Sequence, residues 1–371
     1  MTQAVLRTTP ATGKSCAAHP PRRDRILVVV PTLNEAGAIA ACLDSLMGDE
    51  SFALPPEDGG ALLAVMDGGS TDATDRIVAG IAQGSRGRII LARNPDRLQA
   101  AAINDAVATF GAGCEVLVRC DAHAIYPPHY ISDLVRTLRS DPARASVVVP
   151  MDAVGRSAFA RAAAWAVDTP AGSGGAPHRG GTRSGPVDHG HHAAFDLTWF
   201  RRLDGYDRRF SHNEDAEFDH RLTRAGGIIW LDAATRLTYH MRETPAALWR
   251  QYRNYGKGRA ATLLKHRTRP RLRQIAPALN LVGMGCAALL SPLWPWALLW
   301  PGLYLAALMI LGFVGLRRIG PAALLVPAAL LIMHVGWASG ALQRWLAATL
   351  SRSPDRRKAE SPIDLDFRNQ N

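Results

Sequence analysis

No pair of cysteines in this chain has the C-x-x-C spacing of a redox or zinc motif. The five cysteines (16, 42, 114, 120 and 286) are odd in number and widely scattered. A disulfide framework is therefore not expected, and the thiols read as reduced, as in a cytosolic protein. No Gly-x-Gly-x-x-Gly follows the first apolar run, which excludes a Rossmann oxidoreductase. Residues 1–24 carry basic side chains and prolines but no apolar signal-peptide core, so the soluble part is expected to stay in the cytoplasm. No internal repeat is visible. A further absence is more pointed: from Ile275 to Leu316 there is no Asp, Glu, Lys, Arg or His.

At 1.5 Å rise per residue that stretch makes roughly 63 Å of helix, enough for two bilayer crossings. Ser291-Pro-Leu-Trp-Pro295 offers a turn between them, and Ile319 to Gln343, with His334 its one ionisable residue, can form a third. Buried core helices are the alternative, but such helices rarely lack charge for so long. Between Arg242 and Arg273, ten Lys or Arg face a single acid, Glu243. A basic belt beside an apolar span is what the cytoplasmic flank of a membrane segment carries. It belongs to no nucleic-acid module, so the formal charge of +11 is read as directed at a membrane and not at nucleic acid.

Composition divides the chain into five parts. Residues 1–24 form a polar, Pro-rich tail with the signature of disorder. Residues 25–243 alternate apolar runs (Ile26–Val30, Ala61–Met66, Arg88–Leu91, Val116–Val118, Ser146–Val149) with helical patterns (Ala38–Leu46, Thr71–Ala82, Leu98–Phe110, His129–Leu138). That alternation predicts an α/β domain with a mostly parallel sheet. Residues 172–185 hold six glycines and read as a linker or a lid. Residues 244–273 form a basic amphipathic helix with Trp249, Tyr252 and Tyr255, suited to a membrane interface. Residues 274–343 supply two or three transmembrane helices, and 344–371 a polar tail.

The chemistry-bearing residues fall at strand ends, where open α/β sheets build sites. Pro31-Thr-Leu-Asn34-Glu35 ends the first strand and opens a helix, although Asn and Glu are also ordinary helix-start residues. In Asp67-Gly-Gly-Ser-Thr-Asp72 the glycines allow close backbone approach, so that Asp67 can meet a base or ribose; plain turn chemistry explains it equally. Asp121-Ala-His123 follows an apolar strand. In an extended segment residues i and i+2 share a side, so the two can share Mg²⁺ or Mn²⁺, or be satisfied turn residues. Asn213-Glu214-Asp215 either caps a helix or sets a carboxylate beside an acceptor hydroxyl. The cluster ending in His192 (His189-Gly-His-His192) reads as a substrate-lining strand or polar edge packing, and has no spacing for zinc. His240, ending a late strand, can reach a diphosphate or its metal.

In this order the motifs Pro31-x-x-Asn34-Glu35, Asp67-Gly-Gly-Ser-x-Asp72, Asp121-x-His123, Gly205-Tyr-Asp207 and Asn213-Glu-Asp215 resemble the family 2 glycosyltransferases of GT-A fold. With Gln251-Tyr-Arg-Asn-Tyr-Gly256 and the apolar tail, the chain resembles in particular the succinoglycan-type exopolysaccharide glycosyltransferases of bacteria. The resemblance implies inverting transfer of a hexose from a nucleotide sugar, a UDP-hexose. Pro31, Asn34, Glu35 and Asp67 would line the nucleotide pocket. Asp121 and His123 would hold the metal and diphosphate, with His replacing the family's second Asp. Asp215 would be the catalytic base, with Glu214 the second choice. The acceptor would be a lipid-linked oligosaccharide at the cytoplasmic face of a bacterial inner membrane, with exopolysaccharide assembly proteins as further partners. A polyprenyl-phosphate hexosyltransferase and a non-catalytic membrane scaffold are the competing readings. Processive synthases carry Gln-x-x-Arg-Trp; Gln251-Tyr-Arg253-Asn-Tyr255 only echoes it.

Overall fold

The computed structural model describes residues 25–350, apart from the side chains of 192 and 193. The tails expected at 1–24 and 351–371 lie outside the described residues.

Strand β1 (Ile26–Thr32) is apolar as far as Pro31 because it is buried on both faces. Ile26, Val28 and Val30 join one core cluster while Leu27 and Val29 join the other. β2 (Leu62–Asp67) and β4 (Val116–Arg119) pair with β1 in parallel on either side, and β3 (Ile89–Arg93) pairs in parallel with β2. Helices α1 (Ile39–Met47), α2 (Thr74–Gly84) and α3 (Gln99–Phe110) make the crossovers. β1 thus leads to β2 on one side while β4 lies on the other, and the gap beyond the strand ends is a ligand crevice by topology.

Past α4 (Tyr130–Arg139) come β5 (Arg144–Val149), β6 (Met151–Val154), α5 (Ala158–Val167), the short α6 (Pro170–Ser173) and β7 (Gly185–Val187). β8 (His191–Asp196) then inserts between β4 and β5, antiparallel to both. Its start therefore lies beside the end of β4. α7 (Leu197–Arg202), α8 (Glu214–Arg224), β9 (Ile228–Leu231) and β10 (Leu237–His240) complete the domain. The large sheet runs β3-β2-β1-β4-β8-β5-β9-β7, and β10 pairs in parallel with β6 as a second sheet. The mostly parallel GT-A-like α/β architecture expected from the sequence is present.

α9 (Pro245–His266) is one helix capped by the Thr244 side chain. Two apolar helical stretches, Leu272–Leu290 and Pro295–Leu350, are long enough to cross a membrane. The first is α10. The second contains α11 (Leu299–Ile319) and α12 (Val326–Leu350), folded back on each other at Gly320 (φ 59°) so that Tyr304 Oη lies 2.9 Å from His334 Nδ1. α10, α11 and the turn between them leave large apolar side chains in the open, Leu293 being 87% exposed. One face of α12 is buried instead, where Val326, Ala329, Leu330 and Met333 join α5 and Leu248 of α9.

α9 and α12 touch main chain to main chain. A Cβ at Gly340 would stand 1.9 Å from the Arg253 carbonyl oxygen, and one at Gly256 would stand 2.1 Å from that of Trp337. Gly336 and Gly340 are four residues apart, the small-residue spacing that lets helices approach closely. Gly340→Leu is expected to separate the pair at a cost of roughly 1–3 kcal/mol. The readout is a lower thermal midpoint in detergent and faster proteolysis between α9 and α12.

Candidate active site

The first wall of the crevice is stitched from two loops. The Asn34 backbone N–H donates to Ser70 Oγ (2.9 Å), and Asn34 Oδ1 accepts from the Thr71 N–H (2.7 Å). Glu35 N–H donates to Thr74 Oγ1 (2.8 Å) and Ala36 N–H to Asp72 Oδ2 (3.1 Å). Asp67 is buried at the end of β2, where it accepts from the N–H groups of Gly69 (2.9 Å) and Ser70 (3.0 Å) and from Ser70 Oγ (2.5 Å). Its carboxylate shapes the Gly68-Gly69 turn. Gly68, not Asp67, lines the cleft, together with Pro31, Glu35, Asn94, Arg97, Gln99, Asp121 and His123.

Asp121 and His123 follow β4 on a turn, not in the extended segment expected from their i, i+2 spacing. The turn still brings both into one cleft. Tyr126 anchors it, its hydroxyl oxygen accepting from the Asp121 N–H at 2.6 Å. Asp121 Oδ1 accepts from Gln99 Nε2 (3.2 Å), and His123 Nδ1 lies 3.2 Å from Glu35 Oε1. The hydrogen bond to Glu35 raises the His123 pKa above the ordinary value, against burial and with help from Asp121.

Arg119, the last residue of β4, links this cleft to the start of α8. It is 2% exposed, with Nη2 3.4 Å from Glu214 Oε1 and Nη1 3.9 Å from Asp215 Oδ2. Asp121 also contributes to its electrostatic surroundings, and its guanidinium lies 5.8 Å from the centre of the Tyr206 ring. α8 enters through Asn213, whose positive φ (62°) aims the Nδ2 at the Tyr255 carbonyl of α9 (3.0 Å). Because β8 runs antiparallel, its first residue reaches the same place: His191 Nδ1 lies 3.1 Å from Asp215 Oδ2. One helical turn further, His189 Nδ1 lies 2.7 Å from Asp219 Oδ2.

The two adjacent acids are driven apart. Burial raises the Glu214 carboxyl in spite of Arg119. Burial acts on Asp215 in the same sense, but the hydrogen bond and charge of His191, with His189 and Arg119, outweigh it and hold Asp215 well below the usual range. A half-buried carboxylate at a helix start, held in its ionised form and tied to the cleft through Arg119, can take a proton from a bound hydroxyl.

The structure therefore gathers Pro31, Glu35, Asp121 and His123 in one cleft and joins it through Arg119 to Glu214 and Asp215. Asn34 and Asp67 hold the cleft's loops. His240 is exposed at the end of β10, in the second sheet. His192 lies on β8, but its side chain is outside the described residues. Sequence reasoning passed over Arg119 and Gln99, and took His189 and His191 only as members of the cluster ending in His192. A charged residue closing an otherwise apolar buried strand was the available signal for Arg119. Alternation along a strand, which sets 189 and 191 apart from 192, was the signal for the histidines.

Among the described residues no three His, Cys, Asp or Glu side chains are arranged to hold a metal unaided. Asp121 and His123 nonetheless fit Mg²⁺ or Mn²⁺ of the kind that takes its remaining ligands from substrate phosphate and water.

The sequence profile of glycosyl transferase family 2 matches residues 27–203. The chain is 40% identical over 315 residues to the succinoglycan biosynthesis protein ExoA of Rhizobium meliloti (strain 1021), spanning 85% of this chain and 93% of that protein. The mannosyltransferase PcManGT of Pyrobaculum calidifontis, solved with GDP-mannose and Mn²⁺, is similar in fold. Its TM-score is 0.55 at 21% identity, with 88% of each chain covered.

Proposed function

Since the chain belongs to glycosyl transferase family 2, we propose that it transfers a hexose from a nucleotide sugar, a UDP-hexose, to a membrane-lipid-linked saccharide in exopolysaccharide biosynthesis, with inversion. The Arg119 bridge carries this reading, because it ties the donor cleft at the end of β4 to the Asp215 carboxylate. The strand-end crevice takes the nucleotide, with Pro31, Glu35 and Gly68 as walls. Asp121 and His123 would hold Mg²⁺ or Mn²⁺, which when bound would supply charge neutralisation for the diphosphate. Because Glu35 favours the protonated form of His123, metal binding must displace that proton and weakens as pH falls.

Asp215 receives the proton of an acceptor hydroxyl whose oxygen attacks the anomeric carbon opposite the diphosphate. One C–O bond forms as the bond to the diphosphate oxygen breaks, so an α-linked donor yields a β-linkage. The apolar helices α10 and α11, with the basic segment before them, support placement at the cytoplasmic face of a bacterial membrane, where the acceptor lipid resides. Gln251 donates to the Tyr239 hydroxyl oxygen while Arg253 pairs with Gln343 of α12. Gln251-Tyr-Arg253-Asn-Tyr255 lacks the Arg-Trp of the processive synthases, which favours addition of one sugar over processive synthesis.

The test is a screen of radiolabelled UDP- and GDP-sugars against membrane lipid extract. Label should pass from one UDP-hexose into lipid, fall roughly tenfold or more with EDTA, and return with Mn²⁺ or Mg²⁺. Transfer to polyprenyl phosphate itself, and not to lipid-linked saccharide, would identify the enzyme as a lipid-phosphate hexosyltransferase.

A further inference from the structure

The chain enters α8, the helix that carries Asp215, through a turn that α9 holds at several points. Asn254 Nδ2 lies 3.1 Å from His212 Nε2, and the Tyr255 carbonyl accepts from Asn213 Nδ2 at 3.0 Å. At Gly258 a Cβ would stand 2.6 Å from the His212 carbonyl oxygen, so the two backbones are in contact. Toward the end of α9, Lys265 Nζ donates to Asp207 Oδ2 (2.8 Å) and to Glu217 Oε1 (2.5 Å). His266 Nε2 lies 2.8 Å from the same Glu217 oxygen. Asp207 precedes the turn, and Glu217 follows Asp215 in the first turn of α8. α9 therefore grips the chain on both sides of the base.

Neutralisation alone does not call for Lys265. Glu217 is 0% exposed, and a carboxylate buried that far needs a cation. Arg221 of its own helix already supplies one as a two-pronged fork, with Nε 2.9 Å from Oε1 and Nη2 2.8 Å from Oε2. Asp207 likewise has Arg209, whose Nη2 lies 2.8 Å from Oδ2. Each acid thus has a local arginine. What Lys265 adds is a link between the two acids, and between both of them and α9. A polar network whose members are all satisfied holds one geometry where apolar contacts would tolerate several.

From this geometry we propose that Lys265 is a positioning residue for the base: by linking Asp207 to Glu217 it sets where the first turn of α8 presents Asp215 to the acceptor hydroxyl. The assignment rests on the reading of Asp215 as the base. Because α9 is the helix docked on α12, the base is held from the apolar helices as well as from the donor cleft. A misplacement of about 1 Å at a reacting group costs on the order of 10²-fold in rate, so a contact remote from the chemistry can have a large effect.

The experiment measures transfer by the full chain in detergent, from the labelled UDP-hexose to membrane lipid extract, and counts competent sites by calorimetric titration with UDP. Lys265→Met should lower kcat roughly 10- to 100-fold, with donor KM and the number of UDP sites within about twofold of wild type. Lys265→Arg keeps the charge and the reach, and should bring kcat back to within about threefold of wild type. In an Asp215→Asn background Lys265→Met should cost less than about a further twofold, because a link that acts through the base has nothing left to position. A link that only held the fold would cost the same factor in both backgrounds. Glu217 keeps Arg221 and His266 in Lys265→Met, so the variant is expected to fold. If it does not, Asn213→Gly carries the test, since it removes the tie to Tyr255 and glycine adopts the φ of 62° without strain. Its kcat should fall roughly 3- to 30-fold, again only while Asp215 is present.

Unchanged turnover in Lys265→Met overturns the proposal, and so does a Lys265→Arg no faster than Lys265→Met. A loss matched by a fall in UDP sites, or repeated in full in the Asp215→Asn background, makes the link purely structural and overturns it too. Should Asp215→Asn itself transfer at the wild-type rate, the reading of Asp215 as base fails, and the proposal goes with it. An inactive Asp215→Asn beside an unimpaired Lys265→Met sinks the role of Lys265 alone.

Discussion

Asp215→Asn is expected to lower turnover by roughly 10²- to 10⁴-fold while UDP or GDP affinity stays within about twofold of wild type. Asn keeps the shape of the side chain but cannot accept the acceptor's proton. The donor cleft lies across Arg119 from the substitution, so its walls do not change. Steady-state transfer and calorimetric titration read the two quantities separately, and a parallel fall in both would remove Asp215 from the role of base. The carboxyl is held well below its ordinary value near 3.8, so it remains ionised from neutral pH down past 5. Its titration therefore produces no acid limb of activity in that range. Its contribution to stability is present above the unfolded value and is lost only as pH falls toward the depressed folded value. Low basicity is no bar to the reaction, because the acceptor hydroxyl becomes strongly acidic only as its oxygen bonds to the anomeric carbon.

Arg119→Met is expected to do damage of another kind. It strips the buried Glu214 of its nearest cation and removes one of those facing Asp215. Breaking a buried pair from one side costs about 3–5 kcal/mol, because the remaining charge has neither water nor partner. Thermal unfolding in detergent should show it, and donor affinity and turnover should fall together as the Asp121 turn and the α8 start lose their tie. Glu214, already raised by burial, accommodates by protonating. The double variant Arg119→Met/Glu214→Gln should consequently recover more than half of the lost stability without recovering activity. An unchanged midpoint in the single variant would show that the bridge is not structural.

Much of this architecture could be read from the residues because burial on both faces writes itself as continuous apolar sequence. β1 and β2 are the examples, and their adjoining loops carried the donor-cleft motifs. β8 was harder. Its direction depends on which strands it is inserted between, and six residues of sequence do not encode a neighbour. The position of His191 beside Asp215 follows from that direction. Arg119 was hidden for a related reason, since its partners are 95 and 96 residues distant in sequence. The Asp121-x-His123 spacing suggested a shared site through extended geometry, whereas a turn pinned by Tyr126 produces it. The docking of α12 on α5 and α9 had no periodic signature, because glycines and alanines mark close approach without saying to what.

That glycine contact has a mechanical consequence. Two helices whose carbonyls leave no room for a methyl group cannot swing like a hinged arm, so catalytic head and apolar base should travel as one piece. For the lipid-linked acceptor proposed above, the reach from lipid to reacting hydroxyl would then be built in as a fixed height, and an acceptor would be chosen partly by whether its terminal sugar stands at that level.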